Sequence, residues 1–273
     1  MKNRRGFTLI ELLVVISIIA VLMGILMPAL QRAKKMAQSI ACSSNLRTLT
    51  IAWRMYGDSN DDRLVACQDG MPNRPNWISG GLSYTSDPVN WDLENDLKKS
   101  PLWSYAGGEP EVFKCPADKA KVTNDMGQTV PRIRSNSMSQ VFGYGEWLNS
   151  APASRSQNIW RTYSKLSTII NSAKTFVFVD EHPDSINDAA FANALTDASS
   201  PSAARIIDYP ANYHGGSCGF SFADGHAIVH KWVGSKMREA PVNYGYGSLQ
   251  LNVLAEDSWE DVKWMSENTT VKK

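Results

Sequence analysis

The sequence predicts an α+β fold, in which one long N-terminal helix packs on an antiparallel β-sheet. Three observations carry this. Residues 7–26, FTLIELLVVISIIAVLMGIL, match the roughly twenty apolar residues needed to span a bilayer as a helix. From Leu30 to about Tyr56, apolar residues recur at approximately helical spacing (Leu30, Ala33, Ala37, Ile40, Ala41, Leu46, Leu49, Trp53, Tyr56), with Arg32, Lys34, Lys35 and Arg47 among the positions between. The rest of the chain is rich in turn formers that separate short β-branched and aromatic runs.

Taken in order, the apolar stripe of residues 30–56 needs a cover, most simply a sheet. YGDSNDDR, residues 56–63, ends the helix with turn formers. Residues 57–135 are rich in Gly, Pro, Asn, Asp and Trp, and DGMPNRPNWISGG reads as loop. A short helix is expected over Asp92–Tyr105, capped late by Gly107. A strand is expected within Arg132–Ser150. A helix or turn then precedes a strand at Thr175–Val179, where TFVFV is β-branched and aromatic. Residues 184–205 read as an exposed insertion. GFSFADGHAIVHKW, Gly219–Trp232, is the best hairpin: two alternating runs flank Ala223-Asp224-Gly225-His226, and Asp-Gly suits the positive φ angles of a tight turn. The tail from Gly234 to Lys273 packs back on the sheet or lies loose at its end. No internal repeat is visible.

Composition excludes several classes. The 28 Lys+Arg and 27 Asp+Glu leave a net charge of +1, so no electrostatic case exists for nucleic acid. The nine tryptophans are scattered along the 273 residues, which favours packing over a grouped sugar-binding face. The four cysteines, Cys42, Cys67, Cys115 and Cys218, form no CxxC pair, so zinc-knuckle spacing is absent. In an exported chain their even number permits two disulfides, one of them expected to involve Cys115. Ser217 and Ser221 lie near His214, but no nucleophile elbow or phosphate loop surrounds them. The sequence gives no reason to expect an enzyme.

One acid interrupts the apolar run. Glu11 sits near its start, where an intramembrane carboxylate costs at least a few kcal/mol unless it is paired or near the interface. Cleavage after Gly6 would give Phe7 a free α-amine and make Glu11 the fifth residue of the shortened chain. In a stack of identical helices displaced by about one turn, one subunit's amine would meet its neighbour's carboxylate and fix the register of assembly. RRGFTLIELLVVISIIAVLMGILMPAL resembles the signal of type IV pilins and type II secretion pseudopilins: a basic leader ending in Gly, then Phe-Thr-Leu-Ile-Glu-Leu-Leu-Val-Val. The resemblance covers about a tenth of the chain. It implies a pilin-like fold, cleavage by prepilin peptidase between Gly6 and Phe7, N-methylation of Phe7, and Glu11 as the assembly carboxylate. Gly24 and Pro28 fall where helices of the family soften, and Pro28 is expected to bend or locally melt the helix.

The implied organisation is a leader at 1–6, a transmembrane segment at 7–29, an amphipathic continuation at 30–56, and a periplasmic or extracellular head at 57–273. Lys2, Arg4 and Arg5 place the N-terminus in the cytoplasm by the positive-inside rule, with the chain in the inner membrane before assembly. His214, nine intervening residues and Asp224-Gly225 match H-x9-DG, a pattern found toward the C-terminus of many pilin-like proteins that carry this signal; here it spans the hairpin region 214–232. Asp180, Glu181, His182, His214, Asp224, His226 and His230 form an acid- and His-rich set near two expected strand ends. No cofactor is expected; calcium is the candidate that the resemblance suggests, with Asp180, Glu181 and Asp224 as oxygen donors. A transition metal would instead favour His214 and His226 with a carboxylate. The plain alternative is that Asp224-Gly225 makes the hairpin turn and His214 bonds a loop. The expected function is a structural subunit of a type II secretion pseudopilus or type IV pilus-like filament, partnered by prepilin peptidase and other copies or related subunits. The alternative is a membrane-tethered module that binds a polysaccharide or another extracellular polymer.

Overall fold

Helix α1 runs unbroken from Leu9 to Ser59, 51 residues, or about 77 Å at 1.5 Å per residue. The structure, a computed structural model, describes residues 9–67, 71, 73–151, 158–245 and 247–273. The melting expected at Pro28 does not occur: the proline lies inside the helix without ending it. A proline removes a single i→i−4 bond, and the turns on both sides hold the helix together. The helix stops where expected. Asp61 and Asp62 take the left-handed conformation, at φ 54° and 67°, and the Asp62 amide donates back to the Gly57 carbonyl at 3.0 Å. Asp tolerates this conformation better than bulkier residues do.

The second half of α1 lies on a five-stranded sheet. Its strands are β3 (Asn136–Ser139), β4 (Phe176–Asp180), β5 (Ala190–Phe191), β7 (Ser217–Phe222) and β8 (Ala227–Lys231), in the order β5-β3-β4-β7-β8. Most pairs are antiparallel; β3 and β5 run parallel, so the sheet is mixed. Two small ladders stand apart, β1 (Lys121–Thr123) with β2 (Thr129–Pro131), and β6 (Arg205–Ile206) with β9 (Val253–Leu254). The chain closes with α2 (Ser235–Arg238) and α3 (Trp259–Glu267).

Strand β7 shows why the sheet has two cores. In SCGFSF, side chains alternate between faces. Ser221 bonds Thr50 of α1 across a 2.6 Å hydroxyl contact, and a Cβ on Gly219 would meet Leu46 of α1 at 2.5 Å. The row Ser217-Gly219-Ser221 is therefore small where the helix comes close. Cys218, Phe220 and Phe222 point the other way, into a second core with Trp232, Val262 and Met265. The first core joins Cys42, Leu46, Leu49, Ala52 and Trp53 of α1 to Met138, Val177 and Phe178 of the sheet. The C-terminal tail thus packs back on the sheet, as one of the two expectations had it.

Three further expectations differ from the fold. Asp92–Tyr105 is turns and a 3-10 segment at Leu97–Lys99, not an α-helix. Ser100 precedes Pro101 and is extended, at φ −60° and ψ 131°, because the proline ring clashes with a helical predecessor. Residues 184–205 are not an exposed insertion: β5 forms a sheet edge, and Ile186, Phe191, Ala194 and Leu195 are buried. Their alanines read as surface but fit a tightly packed edge. The hairpin turn is a three-residue loop, Ala223–Gly225. The Phe222 amide donates to the His226 carbonyl at 2.9 Å. Of the Asp-Gly pair, only Gly225 has positive φ, at 100°, as a type I turn followed by a glycine bulge requires.

Candidate assembly surface

From Leu9 to Leu30 the side chains of α1 are exposed; Ile10 is 73% exposed and Leu30 70%. Soluble monomers do not leave an apolar area of this size in water. The segment is long and apolar enough to cross a membrane by length and composition. Its one hydroxyl is satisfied locally, since Ser17 Oγ donates to the Val14 carbonyl at 2.7 Å, as a dry environment demands. Glu11 lies in the first turn of the described helix, where the N-terminal dipole favours an acid. Gly6 and Phe7 lie outside the described residues. Arg32, Lys34 and Lys35 are exposed between the apolar stretch and the first buried spine residue, Cys42.

The two halves of H-x9-DG occupy opposite ends of β7. Asp224 and Gly225 make the exposed hairpin tip, where Asp224 Oδ1 meets His226 Nδ1 at 2.6 Å. Burial is the largest single effect on the Asp224 carboxyl and raises it, but the bonds from the His226 amide and ring together outweigh it and hold the carboxyl below its usual range. His214 lies before the strand, and its Nε2 faces Cys115 Sγ at 3.3 Å. Cys42 Sγ lies 3.8 Å from Asp180 Oδ2. One donor atom from each of Cys42, Cys115, Asp180 and His214 falls within 4.8 Å of the others. The acid- and His-rich set therefore does not converge as a whole. Asp180 and His214 meet; His226 stays with Asp224 at the tip. Glu181 points elsewhere, accepting from Ser185 Oγ at 2.9 Å, and burial together with Asp208 pushes its carboxyl well up.

Burial governs this cluster. It pushes the Asp180 carboxyl up to about 7, against the bond from Ser135. It raises the Cys115 thiol, with Cys42 and Asp180 adding to the effect. On Cys42 a bond with Cys115 acts downward, but burial and the Asp180 charge leave the thiol raised. It lowers His214, favouring the neutral ring. The expected disulfide at Cys115 is not present; Cys42, Cys115 and Cys218 are all buried thiols. The meeting of Cys42 with Cys115 was not legible in sequence, because the two are far apart in the chain and share no spacing motif. Trp53, Trp77 and Trp232 are fully buried, with Trp77 stacked on Phe113 and edge-on to Phe178. They are core, as the scatter suggested.

Comparison with known proteins places these features. Residues 1–27 match the family model of the prokaryotic N-terminal methylation motif. The type IV wide pilus major component PilA4 of Thermus thermophilus is 43% identical over 141 residues, which cover 48% of this chain and all of that protein. The type II secretion system core protein G of Klebsiella pneumoniae is 28% identical over 134 residues, 46% of this chain and 93% of that one. Its namesake in Pseudomonas aeruginosa is 25% identical over 118 residues, 43% of this chain and 78% of that one. No solved structure matches. The whole of one pilin and most of two pseudopilins align with less than half of this chain, and the chain belongs to the type IV pilin and type II secretion pseudopilin family.

Proposed function

We propose that this chain is made as a membrane-anchored precursor, cut after Gly6 by prepilin peptidase, methylated at Phe7, and drawn into a filament through Glu11. It is a pilin-like filament subunit and not an enzyme. The observation that carries the proposal is the apolar spine from Leu9 to Leu30, exposed along its whole length. Lipid covers such a surface before assembly, and neighbouring spines cover it afterwards. The filament is a type II secretion pseudopilus or a type IV pilus-like fibre, with relatives of both kinds supporting the reading. Leader 1–6, spanning segment 7–29, spine continuation 30–56 and head 57–273 are the corresponding units, with the leader in the cytoplasm and the head across the inner membrane.

Glu11 gives assembly its register. A carboxylate at the centre of a bilayer costs about 2.5–3.5 kcal/mol on insertion scales, and the Phe7 amine of an adjacent subunit would offset much of that. The Glu11→Ala variant is expected to remain in the membrane fraction and to disappear from sheared filaments. N-terminal peptide mass spectrometry of native protein should show a chain that begins at methylated Phe7. A chain that begins at Met1, or Glu11→Ala chains in filaments at wild-type level, would overturn the reading. The polymer-binding alternative gains nothing from the tryptophans, three of which are buried.

A further inference from the structure

The cluster beneath the spine joins four separate segments. Cys42 comes from α1, Cys115 from the turn after Phe113, Asp180 from the end of β4 and His214 from the loop before β7. All four present donors to one small volume, their ligand atoms within 4.8 Å of one another. Asp180 is fully buried, and no Lys or Arg pairs with it among the described residues. Ser135 braces the group from behind: its Oγ donates to Asp180 Oδ1 at 2.7 Å and accepts from the Cys115 amide at 2.8 Å. His214 Nδ1 is buried with no hydrogen-bond partner among the described residues, and Nε2 makes the ring's polar contact with Cys115. A surface cleft of about 250 Å³ is lined by Lys35, Met36, Ser39, Ile40, His214 and Gly215.

We propose that Cys42, Cys115, Asp180 and His214 bind a zinc ion that staples the spine helix to the head. The donor set selects the metal. Two sulfurs, an imidazole and one carboxylate suit tetrahedral zinc, whereas calcium requires six to eight oxygens. At zinc bond lengths of about 2.0–2.3 Å, tetrahedral ligand atoms stand about 3.3–3.8 Å apart. No pair here, all within 4.8 Å, would have to close by more than about 1–1.5 Å. Binding replaces the thiol protons of Cys42 and Cys115 with two Zn–S bonds, Asp180 binds as the carboxylate, and the two thiol protons, with any that Asp180 carries, go to solvent. His214 binds through Nε2 as the neutral ring and releases none. Four protein ligands leave no open position, so the site is structural. A Cys42–Cys115 disulfide would account for the two sulfurs but not for the convergence of Asp180 and His214 on them. The site lies 14 residues beyond Pro28 on α1, from 42 − 28, or about 21 Å along the helix. The staple thus acts where the spine enters the head.

The test uses the full-length chain extracted from membranes in detergent, stripped with a chelator under reducing conditions and given Zn²⁺ alone. Elemental analysis should find one zinc per chain. Cys42→Ser and His214→Gln should each weaken retention at least about tenfold, and Ser135→Ala about 10–100-fold, as the loss of an orienting partner does. His226→Gln should change nothing. Because a substitution in the core can unfold the chain, Co²⁺ in the wild-type protein provides a separate readout: thiolate-to-cobalt charge transfer with the visible bands of tetrahedral coordination. The proposal falls if the reduced wild type retains no zinc or gives no such bands. It also falls if native protein carries a Cys42–Cys115 disulfide, or if Cys42→Ser and His214→Gln bind zinc as the wild type does.

Discussion

Gly219 sits where the spine presses hardest on the sheet. A Cβ there would come within 2.5 Å of Leu46 Cδ1, closer than real contacts allow, and within 3.1 Å of Cys42 Sγ, tighter than most. Gly219→Val should therefore destabilise the head by about 1–3 kcal/mol, the usual effect of overpacking a filled core. Chemical denaturation of the full chain would read this, and a stability equal to wild type would refute the close-approach argument. Nothing in the sequence singled out this glycine, because its constraint comes from a helix about 170 residues earlier, from 219 − 46 = 173. The same holds for Cys42 and Cys115. Glu11 was legible because its constraint is local: an acid inside an apolar run is anomalous in any fold.

At the scale of elements, α1 has two regimes. Its first half exposes apolar side chains, while its second half buries Leu46, Leu49, Ala52 and Trp53. Trp53 locks the second half in place. It is fully buried and stands edge-on to Phe142, with centroids 5.1 Å apart. Trp53→Ala should lower stability by about 3–5 kcal/mol through loss of burial and the cavity left behind. Calorimetry of the variant would show it as a lowered Tm, and an unchanged Tm would mean that the spine does not anchor there. The long helix, β4 and the hairpin were all legible, since each carries a strong periodic or turn signal. The elements misjudged were those ruled by a single neighbour or by tertiary fit. Pro101 forbade the helix at Asp92–Tyr105, and the alanines of 184–205 gave no sign that a sheet edge would bury them.

The whole molecule should resist acid less well than neutral conditions. Burial lowers His230 from its usual 6.5 to about 4, where its ring stacks on Trp264 with centroids 3.6 Å apart and meets Trp232 edge-on. The unfolded chain takes up the proton first, between about pH 6.5 and 4. Stability contributed by the neutral ring is thus complete above 6.5 and is lost as pH falls through that window. Thermal unfolding of the full chain at neutral pH and at about pH 5 should show a drop that His230→Phe reduces. An equal drop in both proteins would remove His230 from the account. Near-zero net charge serves the same molecule in another way, since copies that must pack side by side gain from weak mutual repulsion.

The nine residues between His214 and Asp224 can now be understood as a length in discrete steps. Strand β7 carries six of them, about 20 Å of chain, with a glycine-containing turn at one end and the His214 cluster at the other. One residue more or fewer would exchange its faces, driving Phe220 and Phe222 under the spine and lifting Gly219 away from it. Two residues more would restore the faces but shift one end by about 7 Å, farther than the 4.8 Å that contains the four donor atoms. Parity forbids the odd changes and reach forbids the even ones, so the motif's spacer has no neighbouring length available to it.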